Sequence, residues 1–182
     1  MSVNRPHSTQ DQRLGVWETY LRGHTGVMRA LERELQESHQ LSIAEYDVLL
    51  HVYSAPNRRL RLGELACAVL FSTGGLSRLL DRMERAGLVT RERAPGDRRG
   101  VYAVLTEEGA SRLRAARETH LAGIQRHFSA LLREDEIEPV GRFFHRLVKV
   151  TTTQRPEGVG ADACGTGDTG DTGDTGAEPL AR

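Results

Sequence analysis

Ser72-Thr73-Gly74-Gly75-Leu76-Ser77-Arg78-Leu79-Leu80-Asp81-Arg82-Met83-Glu84-Arg85-Ala86-Gly87-Leu88-Val89 is the stretch whose reading decides the fold. Leu76, Leu79, Leu80 and Met83 recur at i, i+3, i+4 and i+7, the apolar stripe of a helix. Ser72 stands where an N-cap belongs, and Gly87 where a left-handed residue closes a helix. The opposite face, with Thr73, Gly74, Ser77, Arg78 and Asp81, is small and polar. Such a helix fits a DNA major groove, which is about 12 Å wide. Glycine in an exposed helix costs about 1 kcal/mol against alanine. The pair Gly74-Gly75 therefore asks for a reason. Close approach of the backbone to phosphate or base is one reason, and a frayed first turn is the plain alternative.

Upstream, Leu62 to Val69 reads as a short helix with a break at Leu70-Phe71, giving a helix-turn-helix over about 62–86. Downstream, Leu88 to Arg93 and Gly100 to Leu105 read as strands of a hairpin, a wing over about 88–105. Its turn, Ala94-Pro95-Gly96-Asp97-Arg98-Arg99, projects two arginines where a narrow minor groove would attract them. Asp97 is expected to orient one of them. Arg78 can reach a guanine edge or a phosphate, and sequence does not separate the two. Arg82 and Arg85 lie further along, where pairing with Asp81 and Glu84 on a solvated face is the plain reading, and the one expected for Arg85.

The flanks are helical. Leu14, Leu21, Met28 and Leu35 lie seven apart, with Trp17, His24 and Leu31 as a second line. That is a seam for packing against another helix, here over 12–38. Ser42 to Glu45 is a capping box opening a helix with Ile43, Tyr46, Leu49, Leu50 and Tyr53 inward. Thr106 caps a helix running to about Arg133, and a last helix follows from about Asp135 to Val150. The fold class is thus mainly α, in the order α-α-HTH-β-hairpin-α-α. The domain spans 12–152, after a flexible 1–11. Residues 153–182 hold three Gly-Asp-Thr repeats with almost no apolar content, so a disordered tail is expected.

Net charge is zero in 182 residues, but unevenly spread. Residues 154–182 carry two arginines against six acids, whereas 58–114 carry twelve arginines against seven. No run approaches the roughly 18 apolar residues of a membrane helix. No apolar core follows Arg5, so no secretory leader is expected, and the default location is the cytoplasm. Cys67 and Cys164 are too few for a disulfide framework or a zinc site. Cys67 is expected to be a buried small residue. His120 and His127, even with His24 or His51, are read as ordinary histidines, so neither metal nor cofactor is expected. No phosphate loop, nucleophile elbow or carboxylate pair in a cleft argues for an enzyme.

With these pieces assembled, the chain resembles the MarR family of bacterial transcriptional regulators over about residues 12–150. The resemblance is carried by Leu62-Gly63-Glu64-Leu65-Ala66, by the helix quoted above, and by Asp97-Arg98-Arg99 through Leu105-Thr106-Glu107-Glu108-Gly109. It implies a homodimer built from the helices at 12–38 and 107–150, bound to double-stranded DNA at a palindromic operator. It further implies a repressor released by a small-molecule effector. Its DNA contacts carry over to Ser72, Thr73, Ser77 and Arg78, and to Asp97, Arg98 and Arg99 in the wing. The chain departs from the family at Gly74-Gly75, where bulkier or basic residues are usual. The first helix also lacks the cysteine used by peroxide-sensing members. A pocket between the dimer helices and the winged lobe is expected, with Trp17, His24, Tyr46 and His51 as its walls. The alternative is a winged-helix module that binds a protein and not DNA.

Overall fold

The computed structural model describes residues 9–69, 73–94 and 100–153. The expected tail, the wing tip and Ser72 lie outside the described residues.

Helix α1 (Thr9–His39) starts three residues earlier than its seam requires. It is closed by Gln40, at φ 54°, with Gln40 N–H on the Gln36 carbonyl. Helix α2 (Ile43–Ser54) opens on the expected capping box. Ser42 Oγ accepts from Glu45 N–H at 3.2 Å, and the Glu45 carboxylate accepts from Ser42 N–H at 2.9 Å. A carboxylate from α1 adds to the cap, since Glu32 accepts from Ile43 N–H at 2.7 Å. Tyr46, Val48, Leu49 and Val52 of α2 are fully buried, whereas Ile43, Leu50 and Tyr53 are only partly so. The inward set differs from the expected stripe because α2 is packed on several sides, by α5, β3 and α3.

A single 3-10 turn (Pro56–Arg58) follows, with Asn57 left-handed at φ 54°. It leads into β1 (Arg59–Arg61), a strand the sequence reading did not anticipate. Helices α3 (Leu62–Ala68) and α4 (Thr73–Arg85) form the helix-turn-helix, and β2 (Val89–Arg93) and β3 (Val101–Leu105) the hairpin. The antiparallel sheet therefore has three strands, in the order β1-β3-β2. Leu76, Leu79, Leu80 and Met83 of α4 are at most 2% exposed, confirming the stripe. They join Leu35, Leu49, Val52, Leu65, Val89 and Leu113 in one core.

Gly87 closes α4 at φ 71°. Its N–H reaches the Glu84 carbonyl and that of Leu88 reaches the Met83 carbonyl, the paired bonds of a Schellman cap. Thr106 then caps α5 (Glu107–His127), accepting from Gly109 N–H at 2.9 Å. The Thr106 hydroxyl in turn donates to the carbonyl of Gly87 at 2.7 Å, with that of Leu88 at 3.0 Å. A Cβ on Gly109 would stand 2.0 Å from the Leu88 carbonyl oxygen. The two punctuation marks around the wing are thus one piece of structure. Helix α5 does not run on to Arg133. It stops at His127, turns through Ser129–Leu131, and α6 (Glu134–Thr153) begins. No described residue of α6 is buried.

Candidate nucleic-acid interface

The buried stripe of α4 decides which side chains face outward. Ser77 and Arg78 are exposed, one turn inside the helix. No carboxylate among the described residues pairs with Arg78. Thr73 is the first residue of α4. Gly74 is exposed, and a Cβ built there would meet nothing within 4 Å. Packing inside the chain therefore does not call for glycine at 74. Asp97, Arg98 and Arg99 fall outside the described residues, so of the expected set the structure shows Ser77 and Arg78 on the exposed face of α4.

The carboxylates beside Arg78 are engaged differently from the expected pattern. Arg85 Nε donates to the Asp81 carbonyl at 3.0 Å, and Arg82 lies 4.0 Å from Glu45. Arg91 of β2 takes the Asp81 and Glu84 carboxylates, at 2.7 and 3.2 Å. Its guanidinium also donates to the Ser77 carbonyl at 2.9 Å, and its backbone N–H to Glu84 at 3.2 Å. Arg91 Nε is buried and has no hydrogen-bond partner among the described residues. Arg91 thus braces the helix that carries Ser77 and Arg78 against the wing, and masks two charges that would repel phosphate. Sequence reasoning missed it. The signal was its place between Val89 and Arg93, on the strand face that packs toward α4, where a cation needs acids opposite.

The four residues named as pocket walls are not brought to one place. His24 lines an open apolar groove of about 480 Å³ with Tyr20, Val27, Phe128, Leu131 and Phe144. Trp17 is half exposed on α1 and stacks on Tyr20, centroids 5.7 Å apart. Tyr46 is buried and packs on His120 of α5 at 4.4 Å. Burial pushes the Tyr46 hydroxyl up and the His120 imidazole down, and His120 Nδ1 has no partner among the described residues. His51 lies one turn beyond Asp47, whose carboxyl is raised by burial and partly offset by His51. Cys67 is half-buried on α3, not enclosed as expected, because that short helix buries only Leu65. Among the described residues no three His, Cys, Asp or Glu converge as a metal site, and no described helix is long and apolar enough to cross a membrane.

A helix-turn-helix presenting Ser77 and Arg78 and tied by Arg91 to a hairpin defines a winged helix-turn-helix regulator. The chain belongs to the MarR family, whose model matches residues 39–100. It is 31% identical over 121 residues to an HTH-type transcriptional regulator of Bacillus cereus, covering 66% of this chain and 78% of that protein. It is 30% identical to the HTH-type transcriptional regulator MhqR of Bacillus subtilis, covering 60% of this chain and 73% of that protein. Among solved structures it is similar to AbsC of Streptomyces coelicolor, with 31% identity and a TM-score of 0.74 over 83% of this chain and 100% of that one. It is equally similar to Sco3205 of the same organism, solved in complex with DNA, at 30% identity and TM-score 0.74, covering 87% and 97%. These relatives are transcriptional regulators, not enzymes.

Proposed function

We propose that the protein is a homodimeric repressor that binds a palindromic operator and is released by a small-molecule effector. The observation that carries the DNA reading is the outer face of α4, with Arg78 exposed and its neighbouring carboxylates held by Arg91. Helix N-termini suit phosphate, and side chains one turn further in suit base edges. Thr73, Ser77 and Arg78 take those places, with Ser72, Asp97, Arg98 and Arg99 completing the contact. The DNA complex of Sco3205 supports the same reading.

The dimer reading rests on apolar surface that no described residue covers. Leu14 and Trp17 on α1, and Ile137, Phe143, Val148 and Val150 on α6, are each 46–61% exposed. Within the chain these two regions meet through Tyr20 and Phe144, with centroids 6.1 Å apart. A 20-residue helix with no buried residue among those described is stabilised by packing supplied from outside, since helical stability in proteins comes mostly from packing of an apolar face. A second copy supplies it with a two-fold pair of reading heads, spaced about 34–36 Å for half-sites one DNA turn apart. The effector would sit near the stem, in the groove beside His24 or at the Tyr46–His120 contact. Such a regulator works beside the chromosome in the cytoplasm.

Light scattering and footprinting on the region upstream of the gene test this together. A dimer mass with two protected half-sites is expected. A monomer giving no protection at low salt would favour a protein-binding module instead.

A further inference from the structure

The outer side of α4 keeps an excess of positive charge. Arg78, Arg82 and Arg85 stand at i, i+4 and i+7, one stripe opposite the buried leucines, and all three are exposed. Arg82 has only a distant carboxylate, Glu45 at 4.0 Å, and Arg85 donates to a backbone carbonyl. Arg93 lies two residues beyond Arg91, so it shares the face of β2 that Arg91 turns toward α4. It is exposed too, and no carboxylate among the described residues pairs with it. Because Arg91 occupies Asp81 and Glu84, the charge left over on this side is positive.

The opposite charge follows α6. Between residues 156 and 181 stand Glu157, Asp162, Asp168, Asp171, Asp174 and Glu178, with no lysine or arginine among them. The three middle aspartates recur at every third residue, separated by glycine and threonine, which add no positive charge. The anchor is the end of α6 at Thr153. Its distance from α4 is bounded by contacts within the chain, since Phe144 packs on Tyr20, and Leu35 shares a core with Leu80. At 1.5 Å per helical residue, Tyr20 to Leu35 is about 22 Å and Phe144 to Thr153 about 14 Å. With side chains included, Thr153 is within roughly 60 Å of the outer side of α4. At about 3.3 Å per residue, the chain beyond it can carry Asp174 about 70 Å. A segment tethered in this way acts at an effective concentration near millimolar, enough for a weak charge contact. We propose that residues 156–181 lie on the arginine stripe of α4 and compete there with duplex DNA. The duplex has the higher charge density and displaces the segment, which thereby lowers the affinity for DNA and spares none of the contacts of α4. The inference rests on the DNA-binding reading above, whose site it regulates.

The test keeps the full chain and its length, and combines Glu157→Gln, Asp162→Asn, Asp168→Asn, Asp171→Asn, Asp174→Asn and Glu178→Gln. Affinity for a duplex selected from a random pool should rise on the order of fivefold at low salt, and the gain should vanish by about 0.3 M salt. Wild type should show the shallower log affinity–log salt slope, since salt frees the stripe while it weakens DNA binding. Amide NMR without DNA separates contact from repulsion at a distance. The Ser77, Arg78 and Arg82 N–H signals should differ between the two chains at low salt and coincide at high salt. Higher affinity with those signals unmoved means that the segment repels DNA without touching α4, and overturns the proposal. Equal affinity of the two chains overturns it as well, and leaves the DNA-binding reading standing. If neither chain binds any duplex, the DNA-binding reading falls and competition with it, while the amide signals still decide whether the segment lies on α4.

Discussion

The Arg91 guanidinium lies 2.7 Å from the Asp81 carboxylate, joining the wing to the outer face of α4. The same group reaches Glu84 and the Ser77 carbonyl, so one side chain sets how the helix is presented. Arg91→Met should leave both carboxylates unpaired next to DNA and weaken operator binding by about 1–3 kcal/mol, by analogy with breaking a charged hydrogen bond. Arg91→Lys should restore only part, because an ammonium cannot make the forked contact. Fluorescence anisotropy with operator and scrambled duplexes checks this. Retained discrimination in the Met variant would sink the bracing role.

Arg78 is exposed with its charge unspent. Arg78→Ala should cost about 1–3 kcal/mol and relax the preference at one base pair if the side chain reads a base. A uniform loss across all sequences, with a shallower salt dependence, would assign it to phosphate.

Two glycines should respond in opposite ways. Gly109 has the Leu88 carbonyl 2.0 Å from where a Cβ would sit, so Gly109→Ala must push apart the wing and α5. A loss of about 1–3 kcal/mol is expected, read as a lower melting temperature. Gly74 has open space, so Gly74→Ala should raise helix stability by up to about 1 kcal/mol. If the bare backbone is there for DNA, that stabilised variant should bind operator more weakly. Equal or better binding would return Gly74 to the reading of a frayed turn.

Acid should destabilise the fold in two steps. Burial against Tyr46 holds His120 below its ordinary pKa of 6.5, so below that pH the unfolded chain takes up a proton that the folded one resists. Stability then falls as pH drops from about 6.5. Glu34 is held below 4.5 chiefly by its hydrogen bond to His127, 2.7 Å away, and by Arg126. Its contribution is present above 4.5 and is lost as pH falls further. His120→Phe should flatten the melting-temperature profile in the upper window and leave the lower one. An unchanged upper slope would rule His120 out.

Much of this was legible because local chemistry and tertiary packing agree. Ser42 and Glu45 form the capping box their spacing announces, and Gly87 takes the left-handed conformation its position asks for. The α4 stripe buries the four predicted residues. What escaped is set by partners far along the chain. β1 is three residues with arginine at each end, too short and polar for any alternation to show, and it exists because β3 offers it an edge. Helix α5 ends at His127 although Phe128, Leu131 and Leu132 continue an apolar pattern, because those residues turn to face the groove beside His24. Arg91 looked like one more arginine among twelve until Asp81 and Glu84 were opposite it. The proposed pocket walls came from residue type alone, which carries no information about which helices converge.

The Thr106 hydroxyl fastens the first turn of α5 to the residues that close α4. With Gly109 pressed on Leu88, that joint has no slack. Helix α5 therefore works as a lever: a tilt given to it in the stem is delivered to the end of α4. In the proposed dimer, the distance between two such heads on DNA would become a property of the stem's packing.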